Sequence, residues 1–297
     1  MHILVTNDDG PPSEQSSPYV LPFVRTLEAA GHTVSVILPH TQRSWIGKAH
    51  IVGQDVSAHY YFPDKTHPAG PSSSPETEDK LPWVLVNSTP ASCSQLGLFH
   101  VFKDRPPVDL VISGPNYGRN TTAVFALSSG TLGAALEASV CGYKSIALSF
   151  AFFDRENDPQ VVAGSCRQSV KVIEWLAKHG EWDDGRVFSV NVPNSWGSKS
   201  CFEEMPRTVE DPETEEAELR RQESQEDSSG NRTGGGKDEK WKPHHFKWAP
   251  KFQGVHDSVF KAGPGSDGWA VKEGQTSVTA LRANFMHIDG FAGDIKL

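Results

Sequence analysis

Short apolar runs alternate with amphipathic stretches through the first two thirds of the chain. Strands are predicted at residues 3–6, 33–38, 83–86, 108–112, 145–150 and 187–192. Helical spacing of apolar residues lies between several of them, most clearly at residues 21–30 and 161–179. A strand, a helix and a second strand at the start of the chain imply a right-handed parallel crossover. We therefore expect an α/β fold with a mostly parallel sheet flanked by helices.

Two stretches depart from this alternation. Residues 53–82 are poor in periodicity and rich in Pro, Ser and His, which indicates a surface excursion with a short strand around residues 59–62. Residues 203–240 contain many Glu, Gln, Ser and Gly residues and almost no aromatic ones. Such a composition buries too little surface to offset chain entropy, so we predict a disordered insertion.

The last part of the chain is predicted to return to regular structure. Order is expected to resume at residues 246–252, and an alternating pattern predicts a strand at residues 276–280. Residues 241–297 would then be a C-terminal extension, and residues 1–297 would form a single α/β domain.

Charge is distributed unevenly. The net charge is −9, and residues 203–227 alone hold eleven acidic and three basic side chains. The remainder is close to neutral, which argues against nucleic-acid binding through a basic surface. An anion site would therefore need local positive charge from a metal or from helix N-termini. The chain shows no secretory pattern and no long apolar run, so we expect a cytoplasmic protein without a membrane span.

The first predicted strand ends in two adjacent acids, Asp8 and Asp9. Ligands of open α/β sheets bind at the carboxyl ends of the strands. Neighbouring carboxylates there cost free energy unless a cation or hydrogen bonds neutralise them. A divalent metal is one explanation, and a solvated Asn-Asp-Asp-Gly turn is the other. This segment alone leaves both open.

Further short polar residues follow later predicted strands, and we expect them at the same edge of the sheet as Asp8 and Asp9. They include Ser44, Ser88, Thr89 and residues 113–120. Oxygen ligands of this kind suit magnesium, manganese or calcium better than zinc. The predicted helix start at residues 128–131 offers backbone N–H groups to an anion. A metal beside an anion cradle indicates phosphoryl chemistry.

Taken together, these motifs resemble the SurE family of metal-dependent phosphatases and nucleotidases. The matching residues are TNDDG at 6–10, Arg43-Ser44 with Gly47, Thr89-Pro90-Ala91 with Cys93, Ser113-Gly114-x-Asn116-x-Gly118 with Asn120, and SGTLGAALEA at 129–138. The longer block at residues 128–150 looks like the fungal branch of the family, whose members include acid phosphatases.

The resemblance implies a Rossmann-like sheet with a C-terminal extension used for subunit contacts, in a homodimer or homotetramer. It implies that a divalent cation, Mg²⁺ or Mn²⁺, is held by Asp8, Asp9, Ser44 and Asn116. It further implies a phosphate pocket lined by Asn7, Gly114, Asn120, Ser129, Gly130 and Thr131.

The predicted function is metal-dependent hydrolysis of nucleoside monophosphates or other small phosphate esters to an alcohol and phosphate. Asp8 and Asp9 are the predicted catalytic residues, with Asp9 as the first choice of proton acceptor for the attacking water. A phospho-aspartate route stays open. The alternative is a non-catalytic nucleotide- or metal-binding module whose acidic insertion binds a partner. An aspartate phospho-acceptor domain is disfavoured, because the strand at residues 187–192 ends without the lysine it requires.

Overall fold

The computed structural model describes residues 1–63, 81–152, 157–194, 259 and 261–284. The predicted disordered insertion at residues 203–240 and the predicted return of order at residues 246–252 lie outside them. Most of the predicted C-terminal extension and of the surface excursion lies outside them as well.

The described strands form one eight-stranded sheet with the order β3-β4-β2-β1-β5-β6-β7-β8. The strands are β1 (His2–Thr6), β2 (Thr33–Pro39), β3 (Ala58–Tyr61), β4 (Trp83–Val86), β5 (Leu110–Tyr117), β6 (Ser145–Ala151), β7 (Arg186–Pro193) and β8 (Ser277–Arg282). The six central strands are parallel, and β3 and β8 pair antiparallel at the two edges. The predicted Rossmann-like α/β fold is thereby confirmed.

Helices cover both faces of this sheet. They are α1 (Val20–Ala29), α2 (Pro90–Leu96), α3 (Thr122–Ser128), α4 (Gly130–Val140), α5 (Pro159–His179) and α6 (Asp267–Lys272), and a π-helical turn, Gly97–Val101, follows α2. Helices α1 and α5 pack together on one face, while α2 and α4 pack together on the other.

Strand β1 is covered by helices on both faces of the sheet, which explains why its sequence is almost entirely apolar. Ile3 and Val5 join the core under α1 and α5, where Phe23 lies, and Leu4 joins the core on the opposite face, where Cys93 lies. Successive side chains of a strand point to opposite faces, so a strand covered on both sides needs apolar residues at every position. All five residues of β1 are buried.

The strand order reverses at β1, which pairs with β2 on one side and β5 on the other. In open α/β sheets the crevice outside the carboxyl ends of the strands at such a reversal is the usual ligand site. The residues that follow β1 are Asn7, Asp8 and Asp9. The topology therefore puts the acidic pair at the position where this fold class binds ligands.

Two local predictions differ from the structure. Strand β5 continues to Tyr117, although a loop was predicted from residue 113 onwards, and its register with β6 shifts between Ser113 and Asn116. A Cβ at Gly114 would lie 2.1 Å from the carbonyl oxygen of Leu148, so glycine permits the close approach of the two strands. Helix α3 was not predicted, because none of its residues is buried and no apolar stripe marks it.

No single described helix has the length and hydropathy of a membrane span. The pair α3 and α4 meets those criteria only when joined across a bend of 66°.

Candidate metal and phosphate site

The carboxylates of Asp8 and Asp9 are both buried, with 2% of each residue exposed. Oδ1 of Asp8 accepts a hydrogen bond from the hydroxyl of Thr131 at 2.5 Å. Oδ2 of Asp9 accepts one from the backbone N–H of Tyr117 at 2.7 Å. Each acid is therefore held by a different element, Asp8 by the start of α4 and Asp9 by the end of β5.

Burial dominates the electrostatics of this pair. Loss of hydration raises the pKa of Asp8 to about 6, against hydrogen bonds from Thr131 and Gly130 that lower it. Burial also raises the pKa of Asp9 well above its ordinary value, and the negative charge of Asp8 raises it further. A divalent cation between the two groups would reverse this balance and keep both ionised.

Asn116 belongs to the same cluster. Its Oδ1 lies 3.2 Å from the hydroxyl of Thr131, which also bonds to Asp8. Its side-chain amide nitrogen donates to the carbonyl of Gly118 at 2.7 Å, and its oxygen is left facing Thr131. Two carboxylates and an amide oxygen form a donor set that suits a hard divalent cation. The residues present therefore fit the metal that the sequence predicts.

The loop that carries Ser44 is attached to the site through the backbone of Arg43. The N–H of Arg43 donates to the carbonyl of Asp8 at 2.6 Å, and a Cβ on Gly130 would lie 3.1 Å from the carbonyl oxygen of Arg43. The loop therefore passes next to the first turn of α4, close to the backbone of Asp8. The side chain of Ser44 is exposed, and its role as a metal ligand stays a prediction.

The start of α4 is fitted closely around Asp8. Ser129 caps the helix, its hydroxyl oxygen accepting from the N–H of Leu132 at 3.2 Å. A Cβ on Gly130 would lie 2.7 Å from the Cβ of Asp8, so only glycine lets the helix start come this near. The N–H groups of Gly130 and Thr131 bond to Asp8 here. Phosphate binding by Ser129, Gly130 and Thr131 stays a prediction.

The other predicted phosphate-binding residues hold the backbone around the site in place. The amide of Asn7 closes the turn after β1, donating to the carbonyl of Gly10 at 2.8 Å. Asn120 donates from its backbone N–H to Asn191 and from its side chain to Ser149 at 2.9 Å. Gly114 allows β5 and β6 to approach. Their direct contact with phosphate stays a prediction.

Sequence reasoning missed two parts of the site. The side chain of Gln42 hydrogen-bonds to Asp9. Farther along α4, the buried carboxylate of Glu137 bonds to Lys48, to His50 at 3.3 Å and to Gln95 at 2.6 Å. A single acid within the small-residue helix 129–138 was the available signal for the second feature.

The loop at residues 43–50 is tied to the end of α3 and to α4 at several points. The N–H of Gly47 donates to the carbonyl of Ser128 at 2.8 Å. A Cβ on Gly133 would lie 2.2 Å from the carbonyl oxygen of Gly47, so the two backbones touch. Glu137 then holds the end of the loop through Lys48 and His50. We call residues 43–50 the Ser44 loop.

Comparison with known proteins decides the family. A profile described as "Survival protein SurE" matches residues 3–218 of this chain. The chain belongs to the SurE family. The resemblance stated from the sequence is thereby confirmed.

SurE proteins of several organisms are similar to this chain. The 5'-nucleotidase SurE 2 of Pyrobaculum aerophilum is 34% identical over 212 residues, covering 70% of this chain and 71% of the relative. The 5'-nucleotidase SurE of Parasynechococcus marenigrum is 34% identical over 203 residues, covering 65% of this chain and 64% of the relative. The crystal structure of the SurE protein from Aquifex aeolicus has the same fold, with a TM-score of 0.60, 23% identity, and coverage of 96% of this chain and 95% of that chain.

A yeast relative matches the whole chain but is much longer. The probable tubulin–tyrosine ligase PBY1 of Saccharomyces cerevisiae is 31% identical over 335 residues, covering 100% of this chain and 43% of the yeast protein. The chain thus spans less than half the length of this relative. The name of the yeast protein describes that longer protein.

Proposed function

We propose that this SurE-family chain is a divalent-metal-dependent phosphomonoesterase that hydrolyses nucleoside monophosphates or other small phosphate esters to an alcohol and phosphate. The observation that carries the proposal is the buried Asp8–Asp9 pair at the strand-order reversal, joined by Asn116 and by the start of α4. The 5'-nucleotidase names of the bacterial and archaeal relatives support the substrate class.

The residues that would hold the cation are Asp8, Asp9 and Asn116, with Ser44 contributed by the loop above them. Mg²⁺ and Mn²⁺ both suit these oxygen donors. Bound there, the cation would supply charge stabilisation to the transferred phosphoryl group and would activate a water molecule. This chemistry needs both aspartates ionised, which their burial alone opposes.

Other groups of the protein orient the two aspartates and assist phosphate binding. Thr131 fixes the orientation of Asp8, and the N–H of Tyr117 fixes that of Asp9. The N-terminal end of α4 favours negative charge beside it, which assists a bound phosphate. With a bound cation keeping it ionised, Asp9 would accept the proton of the attacking water.

A hydrolysis assay tests the proposal. The purified chain is offered AMP and glycerol 2-phosphate with Mg²⁺ or Mn²⁺, with and without excess chelator. Wild-type protein should release phosphate only with metal, and Asp8→Asn should abolish the release while the far-ultraviolet spectrum stays unchanged. The matched control is Asp104→Asn, an exposed acid in the connection before β5. Full activity with chelator, or in Asp8→Asn, would contradict the proposal.

Assembly and cellular location are further parts of the proposal. The resemblance predicts a homodimer or homotetramer, which light scattering on the eluting protein would measure directly. A cytoplasmic location is predicted from the sequence alone, and imaging a tagged full-length protein in its own cells would test it.

A further inference from the structure

Trp45 follows Ser44 directly and carries the largest exposed side chain of the Ser44 loop. Its backbone has a φ of 63°, in the left-handed region that bulky residues rarely adopt. Its residue is 46% exposed. Such conformations persist where surrounding contacts hold them, and they are concentrated at sites that bind ligands.

A second aromatic residue lies against Trp45. The ring centroid of Phe125, in α3, is 5.8 Å from that of Trp45, with the planes inclined at 62°. The guanidinium carbon of Arg119 lies 5.9 Å from the Phe125 ring on the same segment. Two rings and a guanidinium plane are groups on which a flat heteroaromatic ligand stacks.

Both aromatic residues belong to segments that are bonded to the candidate metal site. Two positions before Trp45, the N–H of Arg43 donates to the carbonyl of Asp8 at 2.6 Å. The carbonyl of Phe125 accepts from the N–H of Ser129, the cap of α4, at 2.9 Å. The pair is therefore continuous with the site and lies on the side where the Ser44 loop meets α3.

We propose that Trp45 and Phe125 form a nucleobase subsite, in which the base of a nucleoside monophosphate stacks on the exposed ring of Trp45 with Phe125 beside it, while its phosphate lies beside Asp8 and Asp9. This inference rests on the proposed function and names the part of the substrate that selects nucleotides over simpler esters. Stacking on aromatic rings depends little on base identity, because every base has a π-face. Purine and pyrimidine nucleotides should therefore both be accepted, and a base-free sugar phosphate should bind more weakly.

The test compares AMP with ribose 5-phosphate, which lacks the base, in wild type, Trp45→Ala and Trp45→Phe. Loss of one stacking ring should lower the ratio of kcat/KM for AMP to that for ribose 5-phosphate by about tenfold in Trp45→Ala. The change should appear in KM, and Trp45→Phe should restore most of the ratio. The matched control is Trp175→Ala, a 58% exposed tryptophan in α5, which should leave the ratio unchanged.

Adenosine binding gives a readout that is independent of hydrolysis. Adenosine has no phosphate, so titration calorimetry should show binding to wild type that weakens about tenfold in Trp45→Ala. An equal loss of kcat/KM for both substrates in Trp45→Ala would assign Trp45 to support of the loop and overturn the inference. Unchanged adenosine affinity would overturn it too. If wild type hydrolyses neither substrate, the proposed function fails, and the adenosine titration still decides the subsite.

Discussion

Glu137 of α4 forms an ion pair with Lys48 of the Ser44 loop. Only 3% of Glu137 is exposed, and its carboxylate also bonds to His50 and Gln95. Burial acts to raise the pKa of Glu137, but the hydrogen bonds and charges of Lys48 and His50 outweigh it and hold the pKa below its ordinary value. The acid therefore stays ionised and ties the loop to the helix whose first turn surrounds Asp8.

Replacing Glu137 with Ala should loosen the Ser44 loop and destabilise the protein. The change leaves Lys48 and Gln95 without their buried partner, which costs about 2 kcal/mol of the free energy of unfolding. Urea denaturation measures this, and metal titration should show weaker binding. Glu273→Gln, which removes a longer and more exposed pair with Lys272, should change the free energy of unfolding by less than about 0.5 kcal/mol. Similar losses in the two variants would refute this role of Glu137.

The metal-free protein should become more stable as the pH falls from 7.5 to 5.5. The folded-state pKa of Asp8, about 6, lies above the ordinary value of 3.8, so the folded state binds more protons than the unfolded state within this window. Stability then falls as pH rises, by about 0.8 kcal/mol for one such group across this window. Urea unfolding in chelator at several pH values checks the trend. Asp8→Asn should weaken the trend, leaving the contribution of Asp9, and Asp104→Asn should leave it intact; a trend of the opposite sign would exclude the burial argument.

A divalent cation should raise the melting temperature of the wild-type protein. A ligand at one hundred times its dissociation constant stabilises the folded state by about 2.7 kcal/mol. Thermal melts with Mg²⁺, Mn²⁺ or chelator measure the shift, and Asn116→Ala should reduce it by removing one oxygen donor. Asn87→Ala changes an exposed amide after β4 and serves as the control. A shift that is equally large in Asn116→Ala would remove Asn116 from the ligand set.

Gly133→Ala should push the Ser44 loop away from α4. The added Cβ would lie 2.2 Å from the carbonyl oxygen of Gly47, where backbone has to move. Overpacking of this kind costs about 1–3 kcal/mol of the free energy of unfolding, measurable in urea, and should weaken metal binding as well. Gly263→Ala meets no atom within 4 Å and should be close to neutral. Wild-type metal affinity in Gly133→Ala would mean that the loop does not position a ligand.

The parallel strands and the acidic pair could be predicted from sequence because each depends on residues that are adjacent along the chain. The run at residues 3–6 is apolar since both faces of β1 are covered, and Asp8 and Asp9 follow it directly. Helix α3 could not be predicted, since it buries no residue and so leaves no periodic signal. The contacts of Glu137 with Lys48 depend on the packing of α4 against a distant loop, which no local pattern encodes.

The hydroxyl of Thr131 carries one hydrogen but faces two acceptors, Oδ1 of Asp8 at 2.5 Å and Oδ1 of Asn116 at 3.2 Å. Three oxygen atoms thus surround a single proton: one belongs to Asp8 after β1, one to Asn116 in β5 and one to Thr131 in the first turn of α4. Oxygen acceptors that outnumber the hydrogens between them favour a positive charge beside them, so this arrangement suits the cation that we propose to bind there.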